Sequence, residues 1–336
     1  KRTAMVHLYF NIIGTVLFLA LFYTLNAVFH FTFLDDVLDP AHIAIIHTSF
    51  NVLATLVLLP ASSVLVKLAK LTIRDKQAKE EEWPLDERFL DMPAFALEQC
   101  RNVMERMATL SRDTFLMALG TIKQYDAKTI TTVITNEDEI DKYEDRLGTY
   151  LVQLSARQLM EEDSNEIGMF LHMIGDFERI SDHAVNLTEV AQEMHDKKIS
   201  FSDAAKAELS VFSDALTEIL NNSIDAFLTE NLDEARMVEP LEEVIDAMQA
   251  DIRARHVLRL REGTCTIELG FVLSDLLTNM ERVSDHCSNI AATLIQTKNE
   301  TFDMHSYLQS VKAADGNQDF TARVNEYSER FALPKA

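Results

Sequence analysis

Glycine and proline are scarce, with only 8 and 6 in 336 residues. So few turn residues leave little to punctuate a sheet-rich fold, and an all-helical chain is the default expectation. Cysteine is scarcer still. Cys100, Cys265 and Cys287 form no Cys-x-x-Cys pair, which argues against a disulfide framework and for ordinary buried thiols in a reducing compartment. Positive charge is also in deficit. The 31 Lys and Arg face 54 Asp and Glu, and the formal charge of −23, which arises after residue 80, repels phosphate backbones. Nucleic acid is therefore set aside as a partner. No Gly-rich phosphate loop, Gly-x-Ser-x-Gly or His-Glu-x-x-His sequence occurs, so no enzyme is expected.

What the chain does have is an apolar beginning. No full charge occurs from Thr3 to Leu34, and Ala4 to Phe29 exceeds the roughly 20 residues needed to span a bilayer and the shorter apolar core of a signal peptide. A second uncharged stretch runs from Pro40 to Val66, after the acidic turn Leu34 to Pro40. Lys1 and Arg2 precede the first stretch, and Lys67, Lys70, Arg74, Lys76 and Lys79 follow the second. Basic flanks stay inside, so a helical hairpin with both ends cytoplasmic is expected, in a multi-pass protein of the cell inner membrane. Because the first residue is Lys1, upstream sequence is expected as well. Within the spans, His7-Leu8-Tyr9-Phe10-Asn11 and His47-Thr48-Ser49-Phe50-Asn51 share the pattern His-x-x-Phe-Asn. His and Asn four apart share one helix face; they serve either as interhelical hydrogen-bonding groups or as the lining of a substrate path.

Beyond the polar connector Glu80 to Pro84, apolar residues recur at helical spacing from Pro93 onward. Breaks near Gly120, Glu161, Lys197, Glu230 and Gly263 divide this part into six helices, roughly 93–122, 127–160, 164–196, 202–229, 232–261 and 264–297. The third and sixth repeat one another. Glu178-Arg179-Ile180-Ser181-Asp182-His183 matches Glu281-Arg282-Val283-Ser284-Asp285-His286 at an offset of 103, and Glu137 to Asp141 matches Glu242 to Asp246 at an offset of 105. The resulting organisation is a membrane segment over 1–70, a linker over 71–92, a six-helix domain over 93–300 and a tail over 301–336 that is expected to be partly disordered. Each unit carries two Glu-x-x-x-Asp pairs, with carboxylates one turn apart on one face. They could converge on a hard or borderline metal ion, with His183 or His286 as an added ligand, or be satisfied by Arg179, Arg282 and solvent.

His47-Thr48-Ser49-Phe50-Asn51 with Pro60, the segment Leu85-Asp86-Glu87-Arg88 to Pro93-Ala94, and the duplicated Glu-Arg-Ile/Val-Ser-Asp-His resemble the bacterial sodium/phosphate cotransporter family. That family is related to the type II sodium-phosphate cotransporters, and the resemblance includes a C-terminal PhoU-like domain. It implies a transmembrane helical hairpin followed by a PhoU-like tandem of two three-helix bundles. It further implies sodium-dependent cotransport of inorganic phosphate, with sodium as coupling ion and a cytoplasmic regulatory domain. That domain would hold a divalent metal or an iron cluster at Glu178, Asp182, Glu281 and Asp285, with Glu137, Asp141, Glu242 and Asp246 as companions. Supporting roles along the substrate and ion path pass to Asn11, His47, Ser49 and Asn51. The family's Gln-Ser-Ser-Ser signatures are absent, so the chain by itself is expected not to transport. The alternative is a membrane-tethered, PhoU-like metal-binding regulator of phosphate uptake or signalling. Membrane lipid, a second copy of the chain, or a phosphate-signalling protein are the implied partners. A di-metal carboxylate enzyme would require Glu-x-x-His motifs at the acidic pairs, which do not occur there.

Overall fold

A computed structural model of the chain describes residues 2–31, 39–60, 85–298 and 318–335, together with positions 62, 64, 67, 68 and 72. Every described regular element is helical, and the chain divides into two units, Lys1–Trp83 and Pro84–Ala336.

In the first unit, α1 spans Arg2–Phe29 and α2 spans Pro40–Leu58. Their contact is antiparallel: Gly14 faces Ala54 and Leu58, and the Phe18 and Phe50 rings meet edge-on at 5.4 Å. Within α1, His7–Phe29 is long and apolar enough to cross a membrane, whereas the apolar stretch of α2, Ile43–Leu58, is shorter. Positions 34–38 of the acidic turn, positions 61, 63, 65 and 66 of the continuation to Val66, and the basic residues Lys70, Arg74, Lys76 and Lys79 lie outside the described residues.

The second unit begins with a short 3-10 turn, Glu87–Asp91, capped by Asp86, which accepts from the Arg88 N–H. Leu85 and Leu90 are buried, and the Tyr150 hydroxyl donates to the Asp86 carbonyl at 3.0 Å. The end of the stretch read as linker is therefore packed down. Six long helices follow: α3 (Pro93–Lys123), α4 (Ala127–Ser155), α5 (Glu161–Lys197), α6 (Asp203–Thr229), α7 (Leu232–Arg261) and α8 (Ile267–Lys298). Local chemistry sets their ends. Pro93 opens α3, where the missing N–H costs nothing. The side chains of Asp126, Ser202 and Asn231 cap α4, α6 and α7. Gly263, at φ +70°, turns the chain from α7 into α8.

Helices α3, α4 and α5 form one bundle and α6, α7 and α8 the other; α5 packs on α8 and α3 on α6 to join them. Apolar stripes explain the arrangement, because Cys100, Val103, Met104, Met107 and Phe115 on α3 are fully buried, as are Phe170, Met173, Phe177 and Ile180 on α5. An ion-pair network ties the bundles at one end. Arg101 contacts Glu166 at 2.6 Å and also Glu230, while Lys298 reaches Glu230 at 2.5 Å. The tail contributes one further helix. Gln318–Arg330 forms α9, which packs on α7, buries Tyr327, and is held by Arg330 to Glu218 at 2.5 Å.

Candidate metal centre

The duplicated motifs sit on α5 and α8, flanked by α4 and α7. In the first bundle, Asp141 and Glu144 of α4 and Glu178 of α5 each place a carboxylate oxygen within 4.8 Å of the others. In the second, Glu242 and Asp246 of α7 and Asp285 of α8 do the same. Of the eight acidic residues singled out by sequence, five therefore converge in two separate threes. Glu137, Asp182 and Glu281 lie beside these groups, close enough to act on them electrostatically. Glu144 is the member that sequence reasoning missed. It lies three residues after Asp141 on the same face, but its repeat counterpart is Gln249, so the internal match gave no signal. The two clusters are thus not equivalent.

Crowding shows in the acidities. Burial, followed by Asp182, pushes Glu178 up to about 7. Burial with Asp141 raises Glu137 and Glu144, and burial with Asp285 raises Glu281. Arginine relieves part of the repulsion. Arg179 reaches Asp182 at 3.3 Å and Glu178 at 3.5 Å, and Arg282 reaches Asp285 at 3.1 Å and Glu281 at 3.9 Å. Both guanidinium groups are more than half exposed, so they neutralise weakly. Oxygen-only donor sets of this kind suit a hard cation, which would replace the repulsion by coordination.

The motif's other residues do different work. Ser181 and Ser284 are buried and bond back to the carbonyls of Glu178 and Glu281, both at 2.7 Å. His183 and His286 reach across the bundle interface, 5.7 Å apart between ring centroids. His183 Nδ1 meets Asn279 Oδ1 at 2.9 Å, where Asn186 also donates, while His286 Nδ1 meets Asp176 Oδ1 at 2.8 Å, where Asn289 also donates at 3.3 Å. Asp176 and Asn279 are themselves related by the offset of 103, so the contact is a pseudo-twofold exchange between repeats. Neither histidine joins an acidic cluster.

In the first unit, Asn11 donates to the His7 carbonyl at 3.0 Å and Asn51 to the His47 carbonyl at 2.9 Å; both amides also touch the histidine rings. These contacts stay within one helix, and Ser49 is exposed.

Residues 104–191 and 209–294, together just over half of the chain, match the PhoU domain. The chain belongs to the PhoU domain family. The two matched segments correspond to the two bundles, each centred on one acidic cluster. Among its relatives, the phosphate-specific transport system accessory protein PhoU homolog 1 of Thermotoga maritima is 25% identical over 217 residues, covering 64% of this chain and 92% of that protein. YjbB of Escherichia coli K12, provisionally named for inorganic phosphate export, is 21% identical over 306 residues. That match covers 89% of this chain but 55% of YjbB, so the chain spans about half the length of that relative. The crystal structure of PhoU from Pseudomonas aeruginosa superposes with a TM-score of 0.58 at 22% identity, covering 61% of this chain and 98% of that one. PhoU from Streptococcus pneumoniae gives 0.55 at 16% identity. Both establish a shared fold.

Proposed function

We propose that this protein takes part in moving inorganic phosphate across the cell membrane and that its PhoU domain regulates the movement from the cytoplasmic side. The observation that carries this reading is the extent of the YjbB match. A similarity covering 89% of the chain must extend well beyond the PhoU domain and include at least half of the segment before residue 85. The PhoU accessory relatives support the regulatory half of the reading.

Sodium coupling and a hairpin of two spans rest on the resemblance carried by His47 to Asn51 and Pro60. Asn11, His47, Ser49 and Asn51 are assigned supporting roles near the ion path, with each Asn held by the backbone of its helix. In the PhoU domain, Asp141, Glu144 and Glu178, and separately Glu242, Asp246 and Asp285, are assigned to divalent cations, with Glu137, Asp182 and Glu281 beside them. The cation would cancel the like charge that destabilises these faces.

The test is radiolabelled phosphate flux in proteoliposomes carrying the longest protein that contains this chain, with an imposed sodium gradient in either direction. Flux that follows the sodium gradient supports cotransport. Phosphate flux indifferent to sodium removes the coupling ion but keeps the phosphate assignment. Absence of flux turns the reading to a membrane-attached accessory protein.

A further inference from the structure

The turn from α7 to α8 holds a thiol and an imidazole that the acidic clusters do not use. Thr266 caps α8 by accepting from the Leu269 N–H, and Cys265 immediately precedes it. The Thr264 N–H donates to the Arg259 carbonyl at 3.0 Å, which fixes the turn. His256, on the last turns of α7, is only 5% exposed. Its Nδ1 lies 3.6 Å and its Nε2 3.9 Å from Cys265 Sγ, and its ring makes no other hydrogen bond among the described residues. A buried imidazole is normally paired, and the thiol is the group toward which this one is aimed.

The packing keeps it there. A Cβ on Gly270 would come within 3.0 Å of His256 Nε2, so the glycine in the first turn of α8 leaves room for the ring. The charged groups facing the imidazole are Arg259 of α7 and Glu208 of α6, paired with one another at 2.8 and 2.9 Å. Burial, then Arg259, holds the imidazole below its ordinary range, while Glu208 opposes them. The ring is therefore neutral near pH 7 and can accept a proton. The other thiols contrast with this one. Cys100 and Cys287 are fully buried, and burial pushes Cys100 up to about 12 and Cys287 higher still. Cys265 is half-buried and departs from the expectation of three inert core thiols.

We propose that Cys265 is a reactive thiol with His256 as its proton acceptor, and that it is a site of oxidation by peroxides. As the sulfur attacks one peroxide oxygen, its proton passes to His256 Nδ1. An S–O bond forms and the O–O bond breaks; the departing hydroxide takes up a proton to become water. The sulfur is oxidised to a sulfenic acid and the peroxide is reduced. The N-terminus of α8 adds partial positive charge where the sulfur becomes anionic.

Alkylation of the folded chain by iodoacetamide at pH 7, followed for each cysteine by mass spectrometry, tests this. Cys265 is expected to react about tenfold faster than the same residue in the urea-unfolded chain, a small part of what a positioned base can contribute, while Cys100 and Cys287 stay unlabelled. His256→Gln should bring Cys265 to the unfolded rate or below, and Gly270→Ala, which displaces the ring slightly, should remove part of the gain. Hydrogen peroxide followed by dimedone should give an adduct at Cys265. A folded wild-type rate at or below the unfolded one overturns the proposal, because partial burial without activation only slows the reaction. A His256→Gln protein that melts like wild type and reacts as fast also overturns it.

Discussion

Replacing Glu178 by Gln should stabilise the metal-free protein and weaken the metal-loaded one. Glu178 is held near 7 by burial and by Asp182, against an ordinary 4.5, with Asp141 and Glu144 completing the cluster. A carboxyl raised in the folded state contributes stability that is complete below its unfolded value and lost as pH rises through the folded one, here between about 4.5 and 7. At pH 8 the ionised group therefore opposes folding. A displacement from 4.5 to about 7 is worth about 3 kcal/mol undamped. Partial exposure and the Arg179 contact reduce this to about 1–2 kcal/mol. For a unit of this size, that is a rise of about 2–6 °C in Tm for Glu178→Gln at pH 8, shrinking toward zero by pH 5. With Mn2+ at about 100 times its Kd, wild type should gain about 2.7 kcal/mol, and the variant, lacking one ligand oxygen, distinctly less. Differential scanning calorimetry of the detergent-solubilised chain, with and without chelator, reads both arms. A variant that melts lower than wild type in chelator would show that Glu178 is a satisfied structural carboxylate, and the reasoning would fail.

Other perturbations probe the scaffold. Glu208 is almost wholly buried against Arg259, so Glu208→Ala, which strands a buried guanidinium, should cost about 3–5 kcal/mol in chemical denaturation. Phe177 is fully buried one residue before Glu178; Phe177→Ala should cost about 3–5 kcal/mol and lower the denaturation midpoint without changing its slope. Lys298 and, behind it, Arg101 hold Glu230 below its ordinary 4.5 against the opposing effect of burial. A lowered carboxyl contributes stability above its unfolded value that is lost as pH falls through the folded one, so Glu230→Gln should progressively lose its deficit relative to wild type as pH falls below 4.5 in a pH series of melts.

Much of this was legible because it is local or repeated. The six long helices follow apolar spacing and breaks such as Gly263, and the acidic pairs lie one turn apart by construction. The repeat then showed which helices were equivalent. What escaped depends on neighbours brought in by packing. Glu144 joins its cluster although Gln249 stands at the matching place in the other half. His183 and His286 look like added ligands beside Asp182 and Asp285, yet helix phase turns them across the α5–α8 interface onto Asn279 and Asp176. Cys265 meets His256 only because the chain reverses at Gly263. Helix α9 follows an undescribed stretch and is short and strongly charged, so its docking on α7 through Tyr327 and Phe331 had no plain signal in composition.

The central claim is that a PhoU domain on this chain governs phosphate movement at the membrane. The most direct test is the phosphate flux of proteoliposomes carrying the intact protein against those in which residues 85–336 have been removed, at matched protein density and with Mn2+ present. The account predicts a change of several-fold between the two, abolished by Glu178→Gln combined with Asp285→Asn in the intact protein. Equal fluxes, or a change that ignores those carboxylates, would contradict it.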